Sequence, residues 1–317
     1  MIHARKLTRR FTARRETVDA VRGLDLDVER GQLVAVLGPN GAGKSTSLRM
    51  LTTLLPPTSG TATVAGSDIR ADPAGVRARI GYVGQRSSAG ETFRVHDELV
   101  TQGLAYGLSR AAARRRAEEM LDLLDLRAMA KRTPGTLSGG QRRRLDIAIG
   151  LVHQPDLLFL DEPSTGLDPQ NRANIWEHVR RLREQYGTTI VLTTHYLEEA
   201  DTMAERVVII DSGRIIADGT AEALKSDLAG DSVTVTTASE PEALLAADVG
   251  ACFGDTTRET TTVRVKVKLA DTALPEFLRA LAEKDVRVVT ATSARPTLDD
   301  VFLALTGRSL REEEAAA

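Results

Sequence analysis

The sequence predicts an α/β fold built on a mainly parallel sheet, with a helical insertion and a small C-terminal α+β domain. Three observations carry this. Short apolar runs alternate with helical patterns through the first two thirds of the chain, as strands joined by crossover helices and covered on both faces do. Strand signals vanish between 86 and 137, where amphipathic stretches such as 109–126 take over. Beyond residue 229, Thr and Val alternate in SVTVTTA and TTVRVKVKL, a half-buried strand pattern.

Each element follows in order. Residues 32–37 are an apolar run, succeeded by a Gly-rich loop and by KSTSLRMLTTLL, whose apolar spacing suits a helix stopped at Pro56-Pro57. Strands are expected at 61–65, 80–84, 157–160, 189–193 and 207–210, with helices at 139–152 and 169–185. IIDSGRII reads as a hairpin, and a helix ends near Asp227. After it come strand 232–238, helix 241–247, strands 251–255 and 261–269, helix 272–284, strand 286–292 and a last helix 297–306. That βαββαβ order is ferredoxin-like. The expected domains are 1–228, with a helical subdomain at about 86–137, then 229–307 and a solvated tail 308–317.

Composition narrows the function. The 317 residues suit one large domain plus a small one. Lys and Arg total 42 against 44 for Asp and Glu, a net charge of -2, so no global polycation wraps a nucleic acid. Aromatics are 3%, too few for stacking many bases. A single cysteine, Cys252, a start without an apolar leader, and no run of about 18 apolar residues together imply a cytoplasmic chain. Any membrane role must then come through a partner.

The residues Gly38-Pro39-Asn40-Gly41-Ala42-Gly43-Lys44-Ser45-Thr46 satisfy G-x-x-x-x-G-K-[ST] between a strand and a helix. Glycines let the backbone curl until successive amides face a phosphate, and the helix adds the positive end of its dipole. Lys44 then reaches the outer phosphates, and Ser45 offers its hydroxyl to Mg²⁺. Run 157–160 ends in Asp161-Glu162, so the sheet delivers two carboxylates to the edge where ligands bind in open α/β folds. Asp161 is suited to hold Mg²⁺ through water, and Glu162 to polarise an attacking water.

Leu137-Ser138-Gly139-Gly140-Gln141 resembles the signature motif of ATP-binding-cassette ATPases. Gln85 in GYVGQ matches that family's Q-loop, Ser164-Thr165-Gly166-Leu167-Asp168 its D-loop, and His195 in TTHYLEEAD its switch histidine. From Lys44 through Gln85, Ser138 and Asp161 to His195 the separations are 41, 53, 23 and 34 residues. The resemblance, over residues 1 to about 225, implies a P-loop NTPase of cassette type that binds ATP and Mg²⁺. It implies catalytic roles for Lys44, Gln85, Glu162 and His195, and metal contacts from Ser45, Gln85 and Asp161. It also implies that Ser138, Gly139, Gly140 and Gln141 complete the nucleotide site of a second copy, so that two chains sandwich two ATP molecules, and that Asp168 belongs to the nucleotide-binding residues. Read by itself, LSGGQ is also an adequate helix cap.

The family places an aromatic ring ahead of the P-loop lysine to stack on adenine, and Phe11 is the aromatic candidate there. A packed strand residue is its other reading, and Val18 is a second apolar cover for the same ring. The triplets at 142–144 and 114–116 are all Arg, and on helices with acids nearby they read as solvated faces rather than nucleic-acid contacts. The five histidines show no zinc-ligand spacing. After Gln85, RSSAGETFRVHDELV departs from the more apolar stretch the family leads one to expect.

Near the end, PTLDDVFLALTG at 296–307 is similar to a segment in the ATP-binding subunits of two-gene drug exporters of the daunorubicin-resistance type. This resemblance implies a subunit held at the cytoplasmic side of the membrane by a separate permease. A soluble cassette ATPase acting on nucleic acid or ribosomes is the alternative. A nucleotide-binding regulator without turnover is a third, disfavoured by the intact Glu162 and His195.

Overall fold

A computed structural model describes residues 1–13 and 16–308. The chain falls into two compact units that divide between Asp218 and Gly219. The division precedes the composition change at 229, because residues 221–229 pack with the last helix of the chain.

The first unit opens with an antiparallel pair, β1 (Ile2–Ala13) against β2 (Glu16–Val28), that the sequence pattern does not announce. Ile2, Ala4, Leu7, Leu24, Leu26 and Val28 are buried on one face, whereas His3 and Arg5 meet Asp27 at 3.0 and 2.8 Å on the other. At Lys6, whose φ is 49°, the register shifts, and the bulge breaks the period-two alternation.

Next, β3 (Leu33–Leu37) runs wholly buried into the Gly-rich loop and α1 (Lys44–Leu51). The chain continues through β4 (Ser59–Val64), β5 (Ser67–Asp68), α2 (Pro73–Arg79) and β6 (Ile80–Val83). Helices α3 (Val95–Ala105) and α4 (Arg110–Leu123) make up the insertion, α4 starting where the Ser109 hydroxyl accepts from the Ala112 amide. Then follow α5 (Gly139–Leu151), β7 (Leu157–Asp161), α6 (Pro169–Tyr186), β8 (Thr189–Thr194), α7 (Leu197–Met203), β9 (Arg206–Asp211) and β10 (Arg214–Gly219). Ser212 and Gly213 both take positive φ, 48° and 78°, as a two-residue hairpin turn requires.

The main sheet reads β10-β9-β3-β8-β7-β6, with β9, β3, β8, β7 and β6 parallel. Strands β3, β7 and β8 are buried along their whole length, which is why they read as unbroken apolar runs. Val34, Val36, Leu157, Phe159, Val191, Val208 and Ile210 share one core with Ile2, Leu7, Leu24, Leu48 and Leu51. One face of the sheet is thus covered by α1 and the N-terminal strands. Every strand expected from an apolar run in this unit lies within two residues of its expected bounds.

The second unit holds α8 (Ala221–Leu224), β11 (Asp231–Thr237), α9 (Glu240–Gly250), β12 (Thr256–Glu259), β13 (Thr262–Val267), α10 (Ala270–Ala282), β14 (Val288–Ala294) and α11 (Leu298–Thr306). Its sheet order β12-β13-β11-β14, antiparallel throughout, is the ferredoxin-like arrangement. The strand expected at 251–255 needs correction. Those residues form a turn in which the Cys252 amide donates to the Val249 carbonyl and the Phe253 and Gly254 amides to that of Gly250. Phe253 is thereby drawn onto Phe277, ring centres 5.3 Å apart, and the strand begins only at Thr256. Among the described residues no helix is long and apolar enough to cross a membrane.

Two histidines tie the helical insertion to the rest of the first unit. His178 of α6 donates from Nδ1 to the Leu123 carbonyl at 3.0 Å, and His153 donates from Nε2 to the Ile80 carbonyl at 2.9 Å while stacking on Tyr106. Burial pushes both imidazoles below their usual value near 6.5. A second proton on His153 would sit on a buried Nδ1 that has no hydrogen-bond partner among the described residues. Folded histidines therefore resist protons that unfolded ones accept, so their stabilisation holds above about pH 6.5 and drains as pH falls below it. The melting temperature is expected to drop between about pH 7.5 and about pH 5.5. In the double variant His153→Gln, His178→Gln that slope should flatten, and an undiminished slope would contradict the assignment.

Candidate functional site

The carboxyl ends of β3, β8, β7 and β6 stand side by side, and each strand brings one motif to that edge. From β3 comes the loop 38–43. Its tip, Asn40 and Gly41, is exposed, whereas Gly38, Pro39, Ala42 and Gly43 are buried. Gly43 caps α1 at φ 102°, and a Cβ there would lie 2.4 Å from the Ala20 carbonyl oxygen. At Gly38 a Cβ would meet the Ile210 carbonyl oxygen at 2.2 Å. Both positions exclude a side chain. The Gly213 amide donates to the Ala42 carbonyl at 2.9 Å, so the β9–β10 turn walls the loop as well.

Lys44 is 4% exposed; its Nζ donates to the Gly38 and Pro39 carbonyls at 2.6 and 3.0 Å and lies 3.5 Å from Glu162 Oε1. Ser45, beside it, donates from Oγ to Asp161 Oδ1 at 2.8 Å, and Thr193 Oγ1 donates to the same oxygen at 2.7 Å. Tyr82 donates to Asp161 Oδ2 at 3.3 Å, and the Gln85 amide reaches Ser45 Oγ at 3.4 Å. Ser45, Gln85 and Asp161 are therefore one contiguous group of oxygen-bearing side chains, with Thr46 next along α1.

Glu162 adopts φ 48°. That left-handed conformation costs a carboxylate residue about 1–3 kcal/mol, and it is held by the Glu162 amide donating to Thr193 Oγ1 at 2.9 Å. The turn aims the carboxylate back over the strand ends. Its Oε1 lies 3.6 Å from His195 Nδ1, and Thr165 donates to Oε2 at 3.3 Å. His195, helped by Lys44, holds this carboxyl below the usual carboxylate range against the opposing pull of burial.

Ser138, Gly139, Gly140 and Gln141 open α5 with a capping box: the Ser138 amide donates to Gln141 Oε1 at 3.0 Å and the Gln141 amide to Ser138 Oγ at 3.3 Å. The cap is worth about 1 kcal/mol, and Ser138 and Gly139 stay exposed at a helix N-terminus. A Cβ on Gly140 would strike Asn171 Oδ1 at 2.2 Å. Asn171 donates in turn to Asp168, the cap of α6, at 2.9 and 2.6 Å, and these bonds hold the Asp168 carboxyl below its usual range. The first turns of α5 and α6 thus abut.

Phe11 pairs across the hairpin with Val18, and Ala20, whose carbonyl touches Gly43, lies two residues beyond Val18. Its ring is 38% exposed, with the Arg9 guanidinium 4.6 Å above it. Phe11 and Val18 therefore form an exposed apolar pair on the hairpin whose second strand borders the loop.

The arginine triplets are not solvated throughout, which corrects the expectation. Arg116 is buried and donates to the Leu151 and Val152 carbonyls at 3.0 and 3.1 Å. Arg143 is also buried, and donates to the carbonyls of Gly84, Pro163, Asp161 and Glu162. It shares the helical face of Gly140 and Ile147, a spacing that marks an inward position. Asp146 accepts from Ser87, Ser88 and Ala89, anchoring the segment after Gln85. Glu199 is buried, accepts from Ser164 and Thr194, and so joins the segment after Glu162 to that before His195.

A walled phosphate loop, an acidic strand end and a histidine on neighbouring strands define an ATP-binding cassette. A family model described as ABC transporter matches residues 21–165, and one described as ATP-binding protein DrrA1-3-like, C-terminal domain, matches 219–306. The chain is 43% identical to daunorubicin resistance ATP-binding protein DrrA3 of Streptomyces coeruleorubidus over 94% of each chain. It is 44% identical to daunorubicin/doxorubicin resistance ATP-binding protein DrrA of Streptomyces peucetius, covering 94% of this chain and 92% of the relative. A dimeric ATP-binding cassette, MJ0796, solved in a post-hydrolysis state bound to ADP and Pi, superposes with a TM-score of 0.64 at 26% identity. That match covers 69% of this chain and 98% of the other. The chain belongs to the ATP-binding proteins of ABC transporters, in the daunorubicin-resistance family.

Proposed function

We propose that this chain is the ATP-hydrolysing subunit of an exporter of drug-like amphipathic molecules, working as a pair of copies on the cytoplasmic side of a separate membrane permease. The observation that supports it best is the meeting of Lys44, Ser45, Gln85, Asp161, Glu162 and His195 at four adjacent strand ends, while Ser138 and Gly139 lie exposed on another helix. Such a split suits a site completed by a second copy.

In this reading the loop Gly38, Pro39, Asn40, Gly41, Ala42, Gly43, Lys44, Ser45 and Thr46 surrounds the phosphates, its main-chain N–H groups donating to them everywhere but at Pro39, which has none, and Lys44 neutralises the outer ones. Phe11 stacks on the adenine. The hydroxyl, amide and carboxylate oxygens of Ser45, Gln85 and Asp161 fit a hard cation, and Mg²⁺ held there would offset charge on the β- and γ-phosphates. Glu162 takes a proton from the attacking water, and His195 steadies the γ-phosphate. Ser138, Gly139, Gly140, Gln141 and Asp168 close over the partner copy's nucleotide, so ATP favours the closed pair and hydrolysis reopens it.

The test is ATPase activity in vesicles carrying a candidate permease, against empty vesicles and duplex DNA. Stimulation by permease vesicles is expected. Stimulation by DNA alone would discard the exporter reading.

A further inference from the structure

Helix α5 carries three attachments at successive turns. Its exposed N-terminus presents Ser138 and Gly139. Five residues on, Arg143 is 8% exposed and donates from Nη1 to the Gly84 carbonyl at 2.6 Å, from Nε to that of Pro163 at 2.7 Å, and from Nη2 to those of Asp161 and Glu162 at 3.1 and 3.3 Å. One turn further, Asp146 accepts the amides of Ser88 and Ala89. The rest of the helix, Leu145–Leu151, is buried, which anchors its far end.

All four acceptors of Arg143 are main-chain carbonyls, and they belong to two segments. Gly84 precedes Gln85, while Asp161, Glu162 and Pro163 form the left-handed turn that aims the Glu162 carboxylate. A planar guanidinium has five donors in a fixed fork and can hold both segments in one geometry; an ammonium cannot. A small rotation of α5 must therefore move the backbone of Gln85 and Glu162 together, and the reacting geometry of a general base tolerates little displacement.

We propose that Arg143 is a positioning residue that couples the two nucleotide sites of the paired copies: it carries a displacement of the Ser138 end of α5 to Glu162 and Gln85 of its own chain. This rests on the two-copy reading above. Closure of Ser138 on the partner copy's nucleotide thereby sets the base in this copy's own site, and turnover becomes cooperative in ATP.

The test uses the full chain with Arg143→Lys and Arg143→Gln, together with Arg143→Ala assayed with and without added guanidinium. A fluorescent ATP analogue reports affinity, steady-state turnover reports kcat and the Hill coefficient, and thermal melting reports the fold. The lysine and glutamine variants should bind nucleotide as the parent does and lose about 10- to 100-fold in kcat, as when an orienting partner is removed. Their Hill coefficient should fall from above 1 to about 1. Guanidinium should restore part of the activity of Arg143→Ala. Unchanged kcat and cooperativity would overturn the inference, as would a kcat loss matched by an equal loss of affinity, or collapse of the fold in all three variants. If the parent chain itself turns over without cooperativity as a single copy, the two-copy reading fails and this inference falls with it. A cooperative parent with equally cooperative variants defeats the inference alone.

Discussion

Glu162→Gln is expected to cut steady-state ATP hydrolysis about a thousand-fold while leaving nucleotide bound, the scale on which loss of a general base is felt. The amide is isosteric and keeps an oxygen for Thr165, which donates to Oε2 at 3.3 Å in the parent. With hydrolysis blocked, nothing reopens the closed pair, so ATP-dependent dimers should accumulate on size exclusion. A variant that hydrolyses ATP at the parent rate would remove Glu162 from the role of base. The carboxyl it replaces is held low by His195 and Lys44. Its ionisation therefore stabilises the fold above the ordinary carboxylate value near 4.5 and ceases to do so only as pH falls below that.

Mixing Lys44→Ala with Ser138→Arg tests how the site is shared. Each variant alone spoils both sites of its own pair, one through the buried ammonium beside Glu162, the other by placing a bulky cation on the exposed cap of α5. In a mixed pair one site retains both an intact Lys44 and an intact Ser138. Random pairing makes half the dimers mixed, so activity should return to at most about a quarter of the parent's. The chain that keeps Lys44 carries the altered Ser138 end, so coupling through Arg143 lowers the return below that ceiling; a mixture no more active than either variant alone would mean that the Ser138 turn and the Lys44 loop do not meet across copies.

Much of this architecture is readable from the chain, and the unreadable parts have physical causes. The parallel strands are legible because burial on both faces leaves no polar residue to interrupt Leu33–Leu37 or the apolar stretch ahead of Asp161. Lys44 is legible because its Gly-rich motif joins such a strand to a helix, Asp161 because it ends one, and His195 because it follows β8 directly. The first antiparallel pair is hidden because its outer face is charged and the bulge at Lys6 moves Leu7 out of phase with Ile2 and Ala4. Arg143, Asp146 and Glu199 escape notice for another reason. A buried charge is satisfied by main-chain groups or hydroxyls elsewhere in the fold, 18 to 59 residues away for Arg143, so the spacing along α5 marks its inward face but not its bonding. The β12 edge is misplaced because Ala251, Cys252 and Phe253 look strand-like, although tertiary packing of Phe253 on Phe277 makes them a turn.

The loop 38–43 is bordered by main-chain atoms of Ala20, Ile210 and Gly213, none of which can step aside as a flexible side chain would. Its shape is thus a mould cast when β2 and the β9–β10 hairpin settle beside β3, and not something a ligand must impress upon it. Any molecule in which either neighbour has come loose has no mould to offer. Triphosphate should therefore act as a clasp on the assembled first unit, raising its unfolding temperature with the logarithm of nucleotide concentration.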